Sequence, residues 1–538
     1  MTYRANLVAT LVLFTVASIP AAGVLAQTAE PTMLHPRLDV RPVVTGLGAF
    51  QPTTMAFLGP NDLLVLQKTA GLVRRVSLVG GFWVLQTSPV LDLAVNNLGG
   101  RGLMGIAVHP NFPTNPGVYL YWTESSTGAD TNVPADTPLL GNRVDRFVWN
   151  GTTGTLAFDK NIIKLRALDE IRPNPGLYGG VIAFGRAKMH QEYEQDDKDQ
   201  DDDKDQDHAT DKNIRDGLHR RVNQDRDGKL YIHIGDVNRR GQLQNLECGA
   251  PLPPPLRSNC SDPIDNDGSF LGPEPYDAHL TGVVLRLNDD GTTPTDNPFF
   301  AAGAEIGGEV GENIQRIFAY GFRNSFGMAF DPIAGHLWMT DNADDTFDEL
   351  IRVEPGLNSG WVQFFGPVGR VAEFKAMETT FGNGTLFSDA RWTPAHIANT
   401  SEEALTRLFM LPGAHYSDPE FSWKWAVPPG AIGFAGPETA LGRQFRGDLF
   451  MGGATGGLQG GHLFHFNLTG NRRKIAVDDP RLKDRVADNL AKNDITESES
   501  LLIGRDFGTV TDIEQGPNGN LFVLSISKGA IYEIFRRR

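Results

Sequence analysis

A chain of 538 residues with 60 Gly, 34 Pro and a 40% apolar fraction favours many short strands joined by turns over a bundle of long helices. Its net charge of −16 argues against nucleic acid as a partner. Beyond the N-terminal segment, no apolar run is long enough to span a bilayer.

The first residues carry one early charge, Arg4, then an apolar run from Leu7 to about Val24 and small residues before Gln27. This pattern predicts a secretory signal over residues 1–26, and hence a periplasmic or secreted protein. Residues 27–42 read as an N-terminal extension. From Val43 onward one pattern recurs six times: an apolar strand, a turn of Gly, Pro, Asn or Asp, and a second apolar strand. The copies include "MAFLGPNDLLVLQ" at Met55, "GIAVHPNFPTNPGVYLYW" at Gly105, "DGKLYIHIGD" at Asp227, "GMAFDPIAGHLWMTD" at Gly327, "AIGFAGPETALGRQFRGDLFMGGATGGLQGGHLFHF" at Ala431 and "VTDIEQGPNGNLFVLS" at Val510. A lone unit of this kind cannot bury both faces, so the pattern predicts an all-β, six-bladed propeller of four-stranded blades over residues 43–538.

Inside the third unit, residues 187–224 read as a disordered acidic insertion; Gln191 to His208 alone holds ten acidic residues and two lysines. "NQDRDGKLYIHI" begins like a calcium-binding loop, but its twelfth position is Ile234 where a bidentate Glu is needed. Cys248 and Cys260 flank a proline-rich loop that a disulfide could close in an oxidising compartment. The nucleophile elbow, HExxH, Walker and CxxC signatures are all missing. What remains are polar residues in strand-end loops: His109 after an apolar strand, Arg323 and Asn324 in "AYGFRNSFGMAF", and a crowded acidic turn from Asp341 to Glu349. These carboxylates would repel one another unless a cation or an arginine sits among them.

Five stretches occur in order: "RGLMGIAVHPNF", "DGKLYIHIGD", "AYGFRNSFGMAFDP", "FDELIRVEPGLNSGW" and "VTDIEQGPNGNLFVLS". Together they resemble the soluble glucose/sorbosone dehydrogenases, six-bladed propellers that oxidise aldoses with pyrroloquinoline quinone (PQQ). The resemblance implies oxidation of a sugar at C1 to the lactone, with hydride passing to PQQ and electrons to a soluble acceptor. It places the catalytic base on His109 and the cofactor-side arginine on Arg323, with Asn324 beside it and Gln67 or Lys68 reaching the cofactor. It also implies calcium, held by Ala343 and Asp344 through backbone carbonyls and by Asp348 and Glu349 at a neighbouring structural position.

The chain departs from the family pattern in three places. Phe322 and Leu177 stand where the family usually has His. In the fifth unit, where Arg or Lys commonly holds the PQQ carboxylates, His462, Arg443 and Arg446 are the candidates that stand nearby. These departures favour a second reading, a propeller that binds a carbohydrate or a protein without turnover; a third is a calcium-dependent lactonase with a ring of Asp, Glu and Asn on the metal.

Overall fold

A computed structural model describes residues 29–167, 176–185, 228–237, 280–343, 345–361, 363–381, 397–453 and 460–537. The signal segment, the acidic insertion, both cysteines and Asp344 lie outside these residues. The described strands form six separate sheets. Each sheet starts at an inner strand: Pro52–Gly59, Leu103–Val108, Val181–Phe184, Met328–Phe330, Pro429–Phe434 and Val510–Gln515, numbered here as first to sixth sheet in chain order. Every inner strand lies against the next, and the sixth lies against the first, so the fold is an all-β propeller closed on itself.

Packing between sheets explains the apolar runs. Six apolar layers each join two consecutive sheets; Leu64 and Leu66 meet Ile106 and Leu120, and the last layer joins Phe522 and Leu524 to Met55 and Leu63. A second strand is therefore covered on both faces, which is why "LYIHI" (Leu230–Ile234) and "LFVLS" (Leu521–Ser525) are buried throughout instead of alternating. At the axis the backbones come closer than side chains allow. A Cβ on Gly430 would stand 2.2 Å from the Val510 carbonyl, and one on Gly105 would stand 2.3 Å from that of Gly180. Hydrogen bonds stitch the inner strands in parallel register: Thr53 Oγ1 donates to Leu103 O at 3.0 Å and Thr54 Oγ1 to Met104 O at 3.1 Å. Met55 N–H donates to Asp512 Oδ2 across the sixth-to-first junction at 2.6 Å.

Two expectations change. Uniform four-stranded sheets are found only in the second and sixth; the others hold five or six strands, because long connections return short edge strands such as Leu357–Asn358 and Val486–Ala487. Residues 27–42 are also not merely an extension. Leu38–Val44 is the outer strand of the sixth sheet, antiparallel to Ala530–Arg536, and Thr32–Met33 pairs with Leu502–Arg505 in the fifth. The chain thus closes its ring by joining its beginning to its end. Among the described residues no helix is long and apolar enough to cross a membrane.

Candidate functional site

Because the inner strands run parallel, the ring has two distinct ends. One gathers the residues before each inner strand together with those after each second strand, and Arg323 and Asn324 lie there, just before Met328–Phe330. Asp341, the last residue of its strand, holds this turn in place. Its Oδ2 accepts from Arg323 N–H at 2.8 Å, and its Oδ1 accepts from Asn324 N–H at 2.7 Å and Asn342 N–H at 3.0 Å. Burial pushes the Asp341 carboxyl up to about 7, against the opposing pull of those N–H donors. His233 secures the next residue: Nε2 accepts from Ser325 N–H at 3.0 Å, and Nδ1 lies 3.1 Å from Val283 O, to which it donates. Asn324 Oδ1 in turn accepts from Gly179 N–H at 3.0 Å, joining the third and fourth sheets.

The Arg323 guanidinium is buried, and its Nη1 donates to the carbonyls of Asn342 at 2.6 Å and Ala343 at 3.1 Å. It lies 5.9 Å from the ring centre of Trp361, whose indole N–H donates to Asp236 Oδ2 at 2.8 Å. Desolvation lowers the pKa of Arg323, while Asp236, Asp341, Asp348 and Glu378 act to raise it. An arginine therefore does sit among the crowded carboxylates, and Lys492 pairs with Asp345 beside it.

The calcium set does not assemble among the described residues. The Ala343 carbonyl already receives Arg323, and successive strand residues point to opposite sides. Asp348 Oδ1 consequently accepts from Ala343 N–H at 2.7 Å, whereas Glu349 Oε1 accepts from Gly366 N–H at 2.6 Å in another loop. No group of three or more His, Cys, Asp or Glu among the described residues is placed to hold a metal.

On the first sheet, Gln67 is committed to structure: Nε2 donates to Leu47 O at 3.2 Å and Oε1 accepts from Arg74 at 3.3 Å. Lys68 follows it at the same end, buried, with Nζ 2.7 Å from Gly99 O. His109 does not join them. It sits past the far end of Leu103–Val108, four residues beyond Gly105, which abuts Gly180. At a strand rise of ~3.3 Å per residue it is about 13 Å from the level of the Asn324 turn. There its Nδ1 accepts from Asn111 N–H at 3.1 Å, its Nε2 lies 3.5 Å from Asp289 Oδ2, and its ring meets Phe184 edge-on. His109 and the Arg323–Asn324 turn therefore lie at opposite ends of the ring, His109 where an inner strand finishes and the turn where one begins. Arg443 and Arg446 share the far end, in the turn between Pro429–Phe434 and Leu449–Gly453. His462 is at the near end, two strands out from Pro429 through Gly453. Asn342 donates to the Pro429 carbonyl at 3.0 Å, which ties that row to the Arg323 turn.

The His233 clamp carries a pH signature. Burial lowers its pKa from 6.5 to about 4. The unfolded chain therefore takes up this proton first, and the stability from a neutral His233 is complete above pH 6.5 and lost as pH falls toward 4. The loss is on the order of 3 kcal/mol. In urea unfolding, the margin of wild type over His233→Gln is expected to shrink across that window; a margin constant with pH would contradict the clamp.

A family model described as Glucose / Sorbosone dehydrogenase matches residues 50–215 and 274–401. The uncharacterized protein slr1608 of Synechocystis is 23% identical over 503 residues, covering 91% of this chain and 84% of its own. Quinoprotein glucose dehydrogenase B of Acinetobacter calcoaceticus is 26% identical over 310 residues, 57% of this chain and 49% of that protein. In three dimensions the fold is shared with the PQQ-bound form of aldose sugar dehydrogenase from Streptomyces coelicolor, with a TM-score of 0.50 and 19% identity over 93% of this chain and 99% of that one. With more than half of its residues matched, this chain belongs to the Glucose / Sorbosone dehydrogenase family.

Proposed function

We propose that this protein is a six-bladed, PQQ-dependent sugar dehydrogenase, exported to the periplasm or the medium. On this reading it oxidises an aldose or similar sugar at C1 to the lactone and passes electrons to a soluble acceptor. The observation that carries the reading is the Arg323–Asn324 turn, locked by Asp341 and His233 at the same end of the ring as Lys68.

That end suits a polyanionic quinone on the Lys68 side. The Lys68 ammonium is buried with oxygen partners that are all neutral, so a carboxylate would supply the missing counter-charge. Lys68, Arg323 and Asn324 would hold PQQ, which when bound supplies the hydride acceptor for C1. Gln67 orients through Leu47 and Arg74 instead of reaching a ligand. No step is assigned to calcium: of its expected ligands the described ones, Ala343, Asp348 and Glu349, serve Arg323 and two separate loops, and Asp348 Oδ2 alone is left buried without a hydrogen bond among the described residues.

The sugar hydroxyl must lose a proton as hydride leaves C1. Of the described histidines at this end, His233 has both nitrogens committed, whereas His462 Nδ1 is buried with no hydrogen-bond partner among the described residues. Burial lowers the pKa of His462, leaving the imidazole neutral and able to accept. We assign the proton to His462. One observation favours a second reading, sugar binding without turnover: His109, Arg443 and Arg446 all sit at the opposite end.

Reconstitution separates the two readings. Purified protein incubated with PQQ, with and without calcium, is expected to reduce an artificial acceptor when an aldose is added. Saturable aldose binding with no acceptor reduction would favour the second reading, and absence of both would remove the sugar from the account.

A further inference from the structure

We propose that Lys68, backed by Arg101, forms a binding site for a ligand carboxylate on the first- and second-sheet side of the ring's mouth. The proposal rests on the Arg323 end being the ligand end, but not on the ligand being PQQ.

Lys68 and Arg101 are two buried cations that meet no carboxylate among the described residues. Lys68 is 7% exposed, and its Nζ reaches Gly99 O at 2.7 Å, with Asn97 O and Gln51 Oε1 at 3.5 Å. Arg101 is 0% exposed. Its Nε donates to Tyr178 Oη at 2.8 Å, Nη1 to Pro134 O at 3.0 Å and Nη2 to Ala167 O at 2.6 Å. Every one of these acceptors is neutral. Several other buried or half-buried cations of this protein do meet carboxylates: Arg143 has Glu124 and Asp145, Arg472 has Asp331, and Lys492 has Asp345. Among the described residues neither Lys68 nor Arg101 forms such a pair.

The two cations share one locus. Gly102, the neighbour of Arg101, is pressed against Lys68 so closely that a Cβ there would stand 2.6 Å from the Lys68 carbonyl and 2.8 Å from its Cγ. The Lys68 ammonium caps the same Gly99–Gly102 turn from which Arg101 departs. Arg101 spends its N–H groups on Tyr178, Pro134 and Ala167 and so positions the turn. Lys68 is the group left to touch the ligand. Burial without a counter-charge lowers the Lys68 pKa to about 8, the behaviour of an ammonium that lacks an anion. Two ligand chemistries supply the carboxylate: the quinone, or an acidic sugar such as a uronate.

The test measures binding to the full chain by titration calorimetry with PQQ, D-glucuronate and D-glucose, for wild type, Lys68→Met and Lys68→Arg. The ligand that bears the carboxylate is expected to bind about tenfold or more weaker to Lys68→Met, with part recovered in Lys68→Arg and an affinity that falls with added salt. Glucose binding should be indifferent to the substitution. Without ligand, Lys68→Met is expected to melt no lower than wild type, since it removes an unpaired buried charge. Glucuronate sensitivity without PQQ binding would keep the site and remove the quinone. PQQ binding equal in wild type and Lys68→Met would keep the quinone and overturn the site, as would a wild type that binds neither anion.

Discussion

Asp341→Ala is expected to dismantle the Arg323 turn and to be among the most destabilising single substitutions in the chain. Its two oxygens take three buried backbone N–H groups, those of Arg323, Asn324 and Asn342. Alanine leaves the Arg323 and Asn324 donors without an acceptor in a place water does not reach, while Asn342 N–H keeps the Asn324 carbonyl at 3.0 Å. At about 1–3 kcal/mol for each of the two stranded donors, the loss is on the order of 4 kcal/mol, a large share of the whole stability of a domain. Asp341→Asn should fall between, because its single carbonyl oxygen can serve the Asn324 and Asn342 donors while its amide opposes that of Arg323. Urea unfolding measures the order directly. An Asp341→Ala protein as stable as wild type would mean that the turn is held by something else.

Removing residues up to Val44 is expected to open the ring. The strand Leu38–Val44 pairs with Ala530–Arg536 from Leu38–Arg536 to Val44–Ile531, with an ion pair between Arg41 and Glu533 at 2.6 Å. It also buries Leu38 completely and Val44 nearly so. Those two side chains contribute about 1.5–3 kcal/mol each, and losing the strand also bares the edge of Ala530–Arg536 to other chains. The truncated protein should unfold at a lower temperature in a broader transition and associate on gel filtration. A monomer with an unchanged melting curve would show that the closure is dispensable.

This strand also shows where the sequence is hard to read. "LDVRPVV" contains Pro42, which argues against a central strand. The structure accommodates it because Leu38–Val44 is an edge strand with an irregular register between Pro42 and Val44. The core strands were legible for the opposite reason: a strand covered on both faces, such as Leu521–Ser525, announces itself as an unbroken apolar run. Sites are less legible than strands. Arg323 and Asn324 stand out as polar residues between apolar strands, and the acidic turn stands out by charge. That Asp341 binds backbone N–H groups, and that Ala343 O receives Arg323, depends on loops brought together from both sides of the fourth sheet's inner hairpin. His109 illustrates the limit most clearly. Local pattern places it just past a strand, but which end of that strand forms the mouth is a property of the whole ring. Arg101, flanked by glycines, reads as part of a surface turn, and only its complete burial without a carboxylate sets it apart.

The most direct measurement is acceptor reduction by PQQ-reconstituted protein with an aldose, made in parallel for wild type, His109→Ala and His462→Ala. If the sugar is oxidised at the Arg323 end, His109→Ala keeps a kcat within about twofold of wild type, because it lies roughly 13 Å away along the strand. His462→Ala loses about 10²–10⁴-fold, the usual worth of a positioned general base. A kcat abolished by His109→Ala and untouched by His462→Ala would contradict the account and move the chemistry to the other end of the ring.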